Sequence, residues 1–170
     1  ISRVLTLRES VQRRSAARFD LTPARQRDIA GALRASQPTG DIVLLACPST
    51  STGVGYYGRF KTVGTLYWEN FAGLRAAAEI FCAPTEASAR ALLRQRDVTH
   101  IALTSEEDFL RDFFTLLRPE APPPDFEKTF GHQLFVRQQI PPWLRVLPYG
   151  PPPDLRWPGL RTLLLQVGPD

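Results

Sequence analysis

The apolar run Ile42-Val-Leu-Leu-Ala-Cys47 constrains the fold of this chain more than any other feature. Six apolar residues follow one another without a polar interruption, and Pro48 comes directly after them. A strand with one face in water alternates apolar and polar residues, whereas a strand covered on both faces can be apolar throughout. The run therefore predicts a central strand of a sheet that has other elements packed on both faces.

The segments that follow this strand alternate in character, as they do in proteins of the α/β class. In chain order, the sequence predicts a polar, glycine-bearing loop after Pro48, a strand over residues 58–67, a helix over residues 72–82, a second helix that begins at residues 83–86, and a strand over residues 98–104. Such an alternation predicts an α/β fold with a three-layer, Rossmann-like, mostly parallel sheet that has helices on both faces.

Two further helices are predicted from their start signals. Thr22 suits the cap and Pro23 the first turn of a helix whose apolar face comprises Ile29, Ala30 and Leu33. The segment Ser105-Glu-Glu-Asp108 resembles a capping box and predicts a later helix with a phenylalanine-rich buried face.

The last third of the chain is rich in proline, with 12 of the 16 prolines at or after residue 119. Pro119–Pro124 and Pro151–Pro153 predict stiff, extended connectors. Between and after them, the sequence predicts a strand over Phe130–Arg137, a rigid turn over Ile140–Leu144 that is anchored by its tryptophan, and a final strand over Leu160–Val167. We therefore predict a proline-rich C-terminal extension of the α/β domain.

The positive charge of the chain is concentrated at its start. Residues 1–40 carry eight arginines and three acids, whereas residues 41–170 carry 13 basic and 14 acidic residues. We predict a basic lead-in arm and helix over 1–40 and a single α/β globular domain over 41–170. The arm could be a solvated helix or could lie against an anionic membrane surface, and we expect no nucleic-acid partner.

The first residue and the hydropathy of the chain bear on whether it is part of a longer protein and whether it crosses a membrane. The chain begins at Ile1 and contains no methionine, which indicates a processed chain or an excised fragment. No stretch reaches the roughly 18 consecutive apolar residues of a membrane-spanning helix, and no signal peptide is visible.

Gly53-Val-Gly55-Tyr-Tyr-Gly58 matches the spacing of the dinucleotide fingerprint. In that motif, the glycines lead directly into the amino end of a helix, which holds the pyrophosphate. Here they begin six residues after Cys47, contain two bulky tyrosines and precede a predicted extended segment. We therefore expect no nucleotide cofactor.

The two histidines and two cysteines are too far apart in the sequence to predict a metal or catalytic centre. His100 and His132 each lie in a predicted strand, and Cys47 and Cys82 are too few for a disulfide scaffold. A parallel arrangement of the first two strands would hold the two cysteines roughly 15 Å apart across a helix. We predict two free, buried thiols, structural histidines, no metal site and no catalytic residue.

The tetrapeptide Tyr67-Trp68-Glu69-Asn70 is the most unusual sequence in the chain. It lies where a predicted strand ends and a helix begins, which is the edge at which α/β sheets bind ligands. Asn70 is a good helix cap and Glu69 suits the positive end of that helix, while Trp68 could stack on a sugar. These four residues are the tentative substrate-binding residues, with a capped turn as the structural alternative.

Several segments together carry a resemblance to a known class of proteins. They are the strand at 41–47, Tyr56-Tyr-Gly58, Val63-Gly-Thr-Leu-Tyr-Trp-Glu-Asn70, Pro84-Thr-Glu-Ala-Ser-Ala-Arg-Ala-Leu-Leu-Arg94, Val98-Thr-His-Ile-Ala-Leu103 and Pro142-Trp-Leu-Arg145. Over residues 41–147 the chain resembles the soluble carboxy-terminal domain of bacterial polytopic membrane proteins of the GT-C glycosyltransferase class. These are relatives of the oligosaccharyltransferase catalytic subunit.

The resemblance implies a non-catalytic domain that supports a membrane-embedded catalytic part of the same polypeptide. It also implies an extracytoplasmic, periplasmic location and contact with the acceptor or a lipid-linked sugar donor. Since the catalytic acids and metal ligands of that class lie in the membrane part, no catalytic residue is carried over. The arginine-rich start leaves a cytoplasmic location open. A free-standing α/β enzyme, a nucleotide-binding domain and a protein-interaction module remain as alternative functions.

Overall fold

A computed structural model describes residues 20–67, 69–105, 109–120, 123–156 and 158–168. Most of the predicted basic arm, Trp68 and the acidic residues of the predicted capping box at 106–108 lie outside the described residues. The helices are α1 (Thr22–Ser36), α2 (Pro48–Gly58), α3 (Phe71–Phe81), α4 (Glu86–Gln95), α5 (Phe109–Leu117) and α6 (Phe130–Phe135). The strands are β1 (Val43–Ala46), β2 (Lys61–Val63), β3 (His100–Thr104), β4 (Leu144–Leu147) and β5 (Thr162–Val167).

The five strands form one sheet in the order β2-β1-β3-β5-β4. β1 pairs in parallel with β2 and with β3, while β5 pairs antiparallel with β3 and with β4. Four strands therefore share one direction and β5 runs against them, which confirms the predicted mostly parallel α/β sheet.

Helices cover both faces of this sheet, as the uninterrupted apolar run of β1 predicted. Leu45 packs with residues of α3 to α6 on one face, whereas Leu44 and Ala46 pack with α1 and α2 on the other. In β3, Ile101 and Ala102 divide between the same two cores. A central strand whose successive side chains enter opposite cores has no solvent-facing side, so most of its positions are apolar.

Residues 48–58 correct one prediction, because they form helix α2 and not a loop. Serine, threonine and glycine have low helix propensity, but Pro48 stands in the first turn, where proline is well tolerated. The Ser51 hydroxyl lies within hydrogen-bond distance of the Ala46 and Val63 carbonyl oxygens. Contacts with β1 and β2 thus outweigh the weak local preference.

The predicted strand over 58–67 is also wrong in its extent. Residues up to Gly58 belong to α2, and β2 comprises only Lys61–Val63. Gly64 ends the strand with a φ of +77°, and a Cβ atom there would lie 2.9 Å from that of Ala77 in α3. The chain turns away from the sheet at Gly64, so residues 65–67 are not part of it.

The segment Phe130–Arg137 is a third correction. The structure has a short helix, α6, whose first N–H groups are capped by the Thr129 side chain. The alternation of Phe130, His132 and Leu134 with other residues favours a strand, but all three side chains are buried on the helix.

The proline-rich last third of the chain supplies two strands of the sheet, β4 and β5, so it is part of the domain and not an extension of it. Pro123–Lys128 and Pro153–Leu155 form 3-10 turns, so the predicted connectors are wrong where they overlap these turns. Pro152 is extended as predicted, with φ −52° and ψ 153°, and residues 121 and 122 lie outside the described residues. The predicted tryptophan anchor is present, since Trp143 stacks on Phe130 with ring centroids 6.1 Å apart. The strand β4 that follows it was not predicted, whereas β5 confirms the predicted final strand.

Other predictions are confirmed or stay open. Cys47 and Cys82 are buried and form no disulfide, as predicted, and burial raises the pKa of the Cys82 thiol to about 11. Helix α1 buries Ile29, Ala30 and Leu33 as expected, but Thr22 is its first residue and not its cap, because the cap position is Leu21. The division of the chain at residue 40 stays a prediction.

Candidate functional site

Two regions of interest lie on the edge of the sheet where the parallel strands end, which we call the carboxyl edge. β1 ends there at Ala46, β2 at Val63 and β3 at Thr104, and the antiparallel β5 begins there at Thr162. Ligands of open α/β sheets bind at this edge. One region follows β2 and contains predicted site residues, whereas the other lies beside β5 and was not predicted.

The first region, the β2 corner, comprises residues 64–67 and 69–71. Asn70 caps α3, because its side-chain oxygen accepts a hydrogen bond from the Gly73 N–H at 3.2 Å. The Asn70 amide also donates to the Thr65 hydroxyl at 3.1 Å. A Cβ atom at residue 73 would lie 2.3 Å from the Asn70 oxygen, so the cap depends on glycine at that position. The role of Asn70 in this structure is to shape the corner.

A second hydrogen bond ties the β2 corner to α2. The Leu66 N–H donates to the Thr52 hydroxyl at 2.9 Å, and that hydroxyl donates in turn to the Pro48 carbonyl oxygen at 2.8 Å. The main chain of the corner is thereby fixed at both ends, by α2 and by α3.

The apolar side chains of the β2 corner point away from the protein. Leu66 is 63% exposed, Tyr67 64% and Phe71 75%. Glu69 is exposed as well, and the side chain of Trp68 lies outside the described residues. Single exposed apolar residues are ordinary, but a group of them indicates a surface that contacts another molecule. The structure therefore brings Tyr67 and Glu69 to one exposed corner, and their role in substrate binding stays a prediction.

The second region, the β5 cleft, is a recess of about 650 Å³, within the size range of small-molecule sites. Its lining comes from the end of α6, the segment after it, the loop after β4 and the start of β5. The lining residues are Phe135, Gln138, Ile140, Tyr149, Pro151, Arg156, Leu160, Arg161, Thr162 and Leu163. No sequence motif predicts such a site, because residues almost 30 positions apart form it.

The glycines of the apparent dinucleotide fingerprint have a packing role. They lie within α2, where a Cβ on Gly55 would be 2.5 Å from the Thr62 methyl group and one on Gly58 would overlap the Phe60 ring. The strand β2 follows them, as predicted, but they lie in a helix and not in the predicted loop. Their position within a helix is nevertheless unlike the glycine turn of a dinucleotide site, which precedes the helix.

The histidines are buried in separate places. His100 lies within hydrogen-bond distance of the Ser36 and Thr99 hydroxyls, and burial lowers its pKa to about 4. His132 packs its ring edge-on against Phe126. Within the described ranges, no three His, Cys, Asp or Glu side chains lie close enough together to hold a metal ion.

In the described part of the chain, no helix combines the length and the apolar character needed to cross a membrane. No protein-family model and no curated protein sequence matches this chain.

Two crystal structures have a similar fold, and both are of the C-terminal globular domain of oligosaccharyltransferase from Archaeoglobus fulgidus. The first has a TM-score of 0.58 and 16% identity, and the match covers 88% of this chain and 96% of that domain. The second has a TM-score of 0.58 and 13% identity, with 85% of this chain and 95% of that domain covered. This chain therefore has the fold of an archaeal oligosaccharyltransferase C-terminal domain along nearly the whole length of that domain.

Proposed function

We propose that this chain is a globular domain of a bacterial, membrane-embedded glycosyltransferase-like protein of the GT-C class. In this proposal the domain does not catalyse transfer itself. It supports the membrane-embedded catalytic part of the same polypeptide and contacts either the acceptor or a lipid-linked sugar donor, on the periplasmic side of the membrane.

The shared fold supports the proposal by its extent. The match covers 96% of an isolated oligosaccharyltransferase domain and not a common sub-fold of it. Because fold alone does not determine function, the substrate role depends on the residues of this chain.

The observation that carries the proposal is the exposure of Leu66, Tyr67 and Phe71 at the carboxyl edge. A tyrosine ring offers an apolar face to a sugar or a lipid and keeps a hydroxyl for hydrogen bonding. The carboxylate of the exposed Glu69 can accept hydrogen bonds from sugar or peptide donors. We assign substrate contact to Tyr67, Trp68 and Glu69, and the positioning of this corner to Asn70.

The arginine-rich start of the chain can contact a membrane surface, although arginine usually flanks the cytoplasmic ends of membrane spans. Residues 1–18 contain five arginines and one acid, and each basic residue near an anionic membrane contributes about 1 kcal/mol of attraction. We propose that this arm lies at the membrane surface, next to the catalytic part.

Activity in membranes that contain the intact protein tests this function. Leu66→Ala and Tyr67→Ala should each lower glycosyl transfer by about tenfold, the effect of losing about 1.4 kcal/mol of binding. Leu116→Ala is the matched control, because Leu116 is a 76% exposed leucine on α5, and it should leave transfer unchanged. Equal transfer by all three variants would contradict the proposal, as would a coding sequence upstream of Ile1 that lacks membrane-spanning segments.

A further inference from the structure

The β5 cleft has two basic side chains, Arg156 and Arg161, in a recess that is otherwise largely apolar. The main chain of Arg161 is fixed by two hydrogen bonds with Ser105, in which the Arg161 N–H donates to the Ser105 hydroxyl at 2.9 Å and the Ser105 N–H donates to the Arg161 carbonyl oxygen at 3.0 Å. Its guanidinium lies 5.2 Å above the centroid of the Phe135 ring. Because the ring meets the face of the guanidinium, the N–H groups of Arg161, which lie in its plane, can still donate to a ligand.

The second guanidinium of the lining, that of Arg156, is held by the main chain. The Nε atom of Arg156 donates to the Pro151 carbonyl oxygen at 3.0 Å, so the side chain folds back over the loop that follows β4. Because that bond uses only Nε, the terminal N–H groups remain for a ligand, and a guanidinium has five donors in all.

The charge around these two arginines favours an anion. No aspartate or glutamate is among the residues that line the cleft. The nearby carboxylate of Asp28 accepts a hydrogen bond from the Tyr149 hydroxyl at 2.7 Å. Arginine is the residue that best matches phosphate oxygens, because its N–H groups form paired, charge-assisted hydrogen bonds.

The rest of the lining requires an apolar body on the same ligand. Phe135, Ile140, Leu160 and Leu163 supply an apolar wall, and Gln138 and Thr162 add polar atoms to the lining. Tyr149, Pro151 and Arg156 also border a groove along Gly31 and Ala32 of α1, so the apolar surface continues beyond the recess.

We propose that the β5 cleft is a binding site for a phosphate ester with an apolar body, in which Arg156 and Arg161 bind the phosphate and the Phe135–Leu163 wall holds the ester group. The site is separate from the β2 corner and does not depend on the function proposed for it. The same chemistry is present in the headgroup of a lipid phosphate and in a soluble aromatic phosphate.

Nuclear magnetic resonance titration of the full chain tests this site with defined probes. We expect 1-naphthyl phosphate, a soluble ester, and dihexanoyl phosphatidic acid, a monomeric lipid phosphate, to shift the amide signals of residues 160–163. Inorganic phosphate alone and 1-naphthol alone should each bind at least about tenfold more weakly than 1-naphthyl phosphate, because each offers only half of the interaction. The tighter of the two esters identifies the source of the ligand.

The Arg156→Gln/Arg161→Gln double variant should bind both esters at least about tenfold more weakly, because it loses charge-assisted hydrogen bonds. Arg118→Gln, at an exposed arginine after α5, is the control and should bind them as the unchanged chain does. If the double variant does not fold, Arg156→Gln alone removes an exposed side chain and should still weaken binding. Equal ester binding by the double variant and the control, or signal shifts confined to other residues, would overturn the proposal.

Discussion

The β2 corner and the β5 cleft lie on the same edge of one sheet, yet they present opposite surfaces. Three strand spacings of about 4.8 Å separate β2 from β5, so the two regions are roughly 14 Å apart along the edge. The corner offers exposed apolar side chains. The cleft offers a recess with two guanidinium groups and an apolar wall.

The difference follows from the way in which each strand is connected. After β2, the chain must reach α3 through a tight turn at Gly64, and a short, firmly held turn displays its side chains outward. β4 and β5 are joined by one long, proline-containing connection, residues 148–161, whose residues line part of the recess. One edge can therefore present a surface for a large partner and a separate recess for a small ligand.

The largest effect should come from the turn that forms the corner. Gly64→Ala places a Cβ atom on a residue with a φ of +77° and 2.9 Å from the Cβ of Ala77. Left-handed strain and overpacking together should lower the free energy of unfolding by about 3 kcal/mol. Urea denaturation measures this loss, and Gly150→Ala, where nothing lies within 4 Å of the added Cβ, is the control. A loss equal to that of the control would mean that Gly64 does not fix the corner.

A pH titration should show a loss of about 2 kcal/mol in the free energy of unfolding, caused by a residue outside both the β2 corner and the β5 cleft. Burial lowers the pKa of His100 from 6.5 to about 4, with Arg145 and Arg34 lowering it further. Since the unfolded chain binds the proton more readily, stability is full above pH 6.5 and falls by about 2 kcal/mol as the pH drops from 7.5 to 5. His100→Gln should flatten this slope in urea denaturation across that range. An unchanged slope in the variant would assign the pH dependence to other groups.

Tyr149 of the β5 cleft is hydrogen-bonded to Asp28 of α1, and this bond should contribute to the stability of the protein. Tyr149→Phe removes a hydrogen bond to the Asp28 carboxylate and should cost about 1.5 kcal/mol, the value for a bond to a charged group. Urea denaturation gives this loss, and the Leu66 amide signal in the corner should keep its chemical shift. A shift at Leu66 would show that the two regions are coupled and would break the comparison.

The corner cap should give the smallest effect. Asn70→Ala removes the bond to the Gly73 N–H and should lower the free energy of unfolding by about 1 kcal/mol. Asn70→Asp keeps the accepting oxygen and should recover most of that stability. Urea denaturation separates the two variants, and equal losses would argue against the capping role of Asn70.

The sequence predicted the elements whose signal is local and strong. The apolar run of β1, the spacing of Ala77, Ala78 and Phe81 in α3, and the start signals of α1 and α4 all describe elements that the structure contains. In each of these elements, burial pattern and local preference favour the same conformation, so sequence alone was sufficient.

The errors lie where tertiary contacts oppose local preference. Helix α2 consists largely of poor helix formers, and its glycines are needed for close approach to Thr62 and Phe60. In α6 the alternation of Phe130 and His132 favours a strand, but the cap at Thr129 and burial against the neighbouring helices make it a helix. The packing contacts of both helices involve residues distant in the sequence, whereas the Thr129 cap is a local signal beside Phe130 that the alternation obscured.

The residues of the candidate sites also divide into those that a local signal predicts and those whose positions depend on distant segments. Asn70 was predicted as a helix cap because capping is a local property, and the structure confirms that role. The exposure of Tyr67 and the convergence of Arg156 with Arg161 depend on where the chain turns back after Gly64 and after Leu147. Distant segments set these positions, and no periodicity in the sequence encodes them.

Site-specific photocrosslinking in membranes tests the central claim most directly. A photoreactive phenylalanine analogue is placed at position 67, on the exposed corner, or at position 116, on the exposed face of α5. If this chain is a globular domain that acts against a membrane-embedded catalytic part, position 67 should crosslink to that part or to a sugar donor or acceptor, and position 116 should not. Equal crosslinking from both positions, or none from position 67 in membranes that are active in glycosyl transfer, would contradict the account.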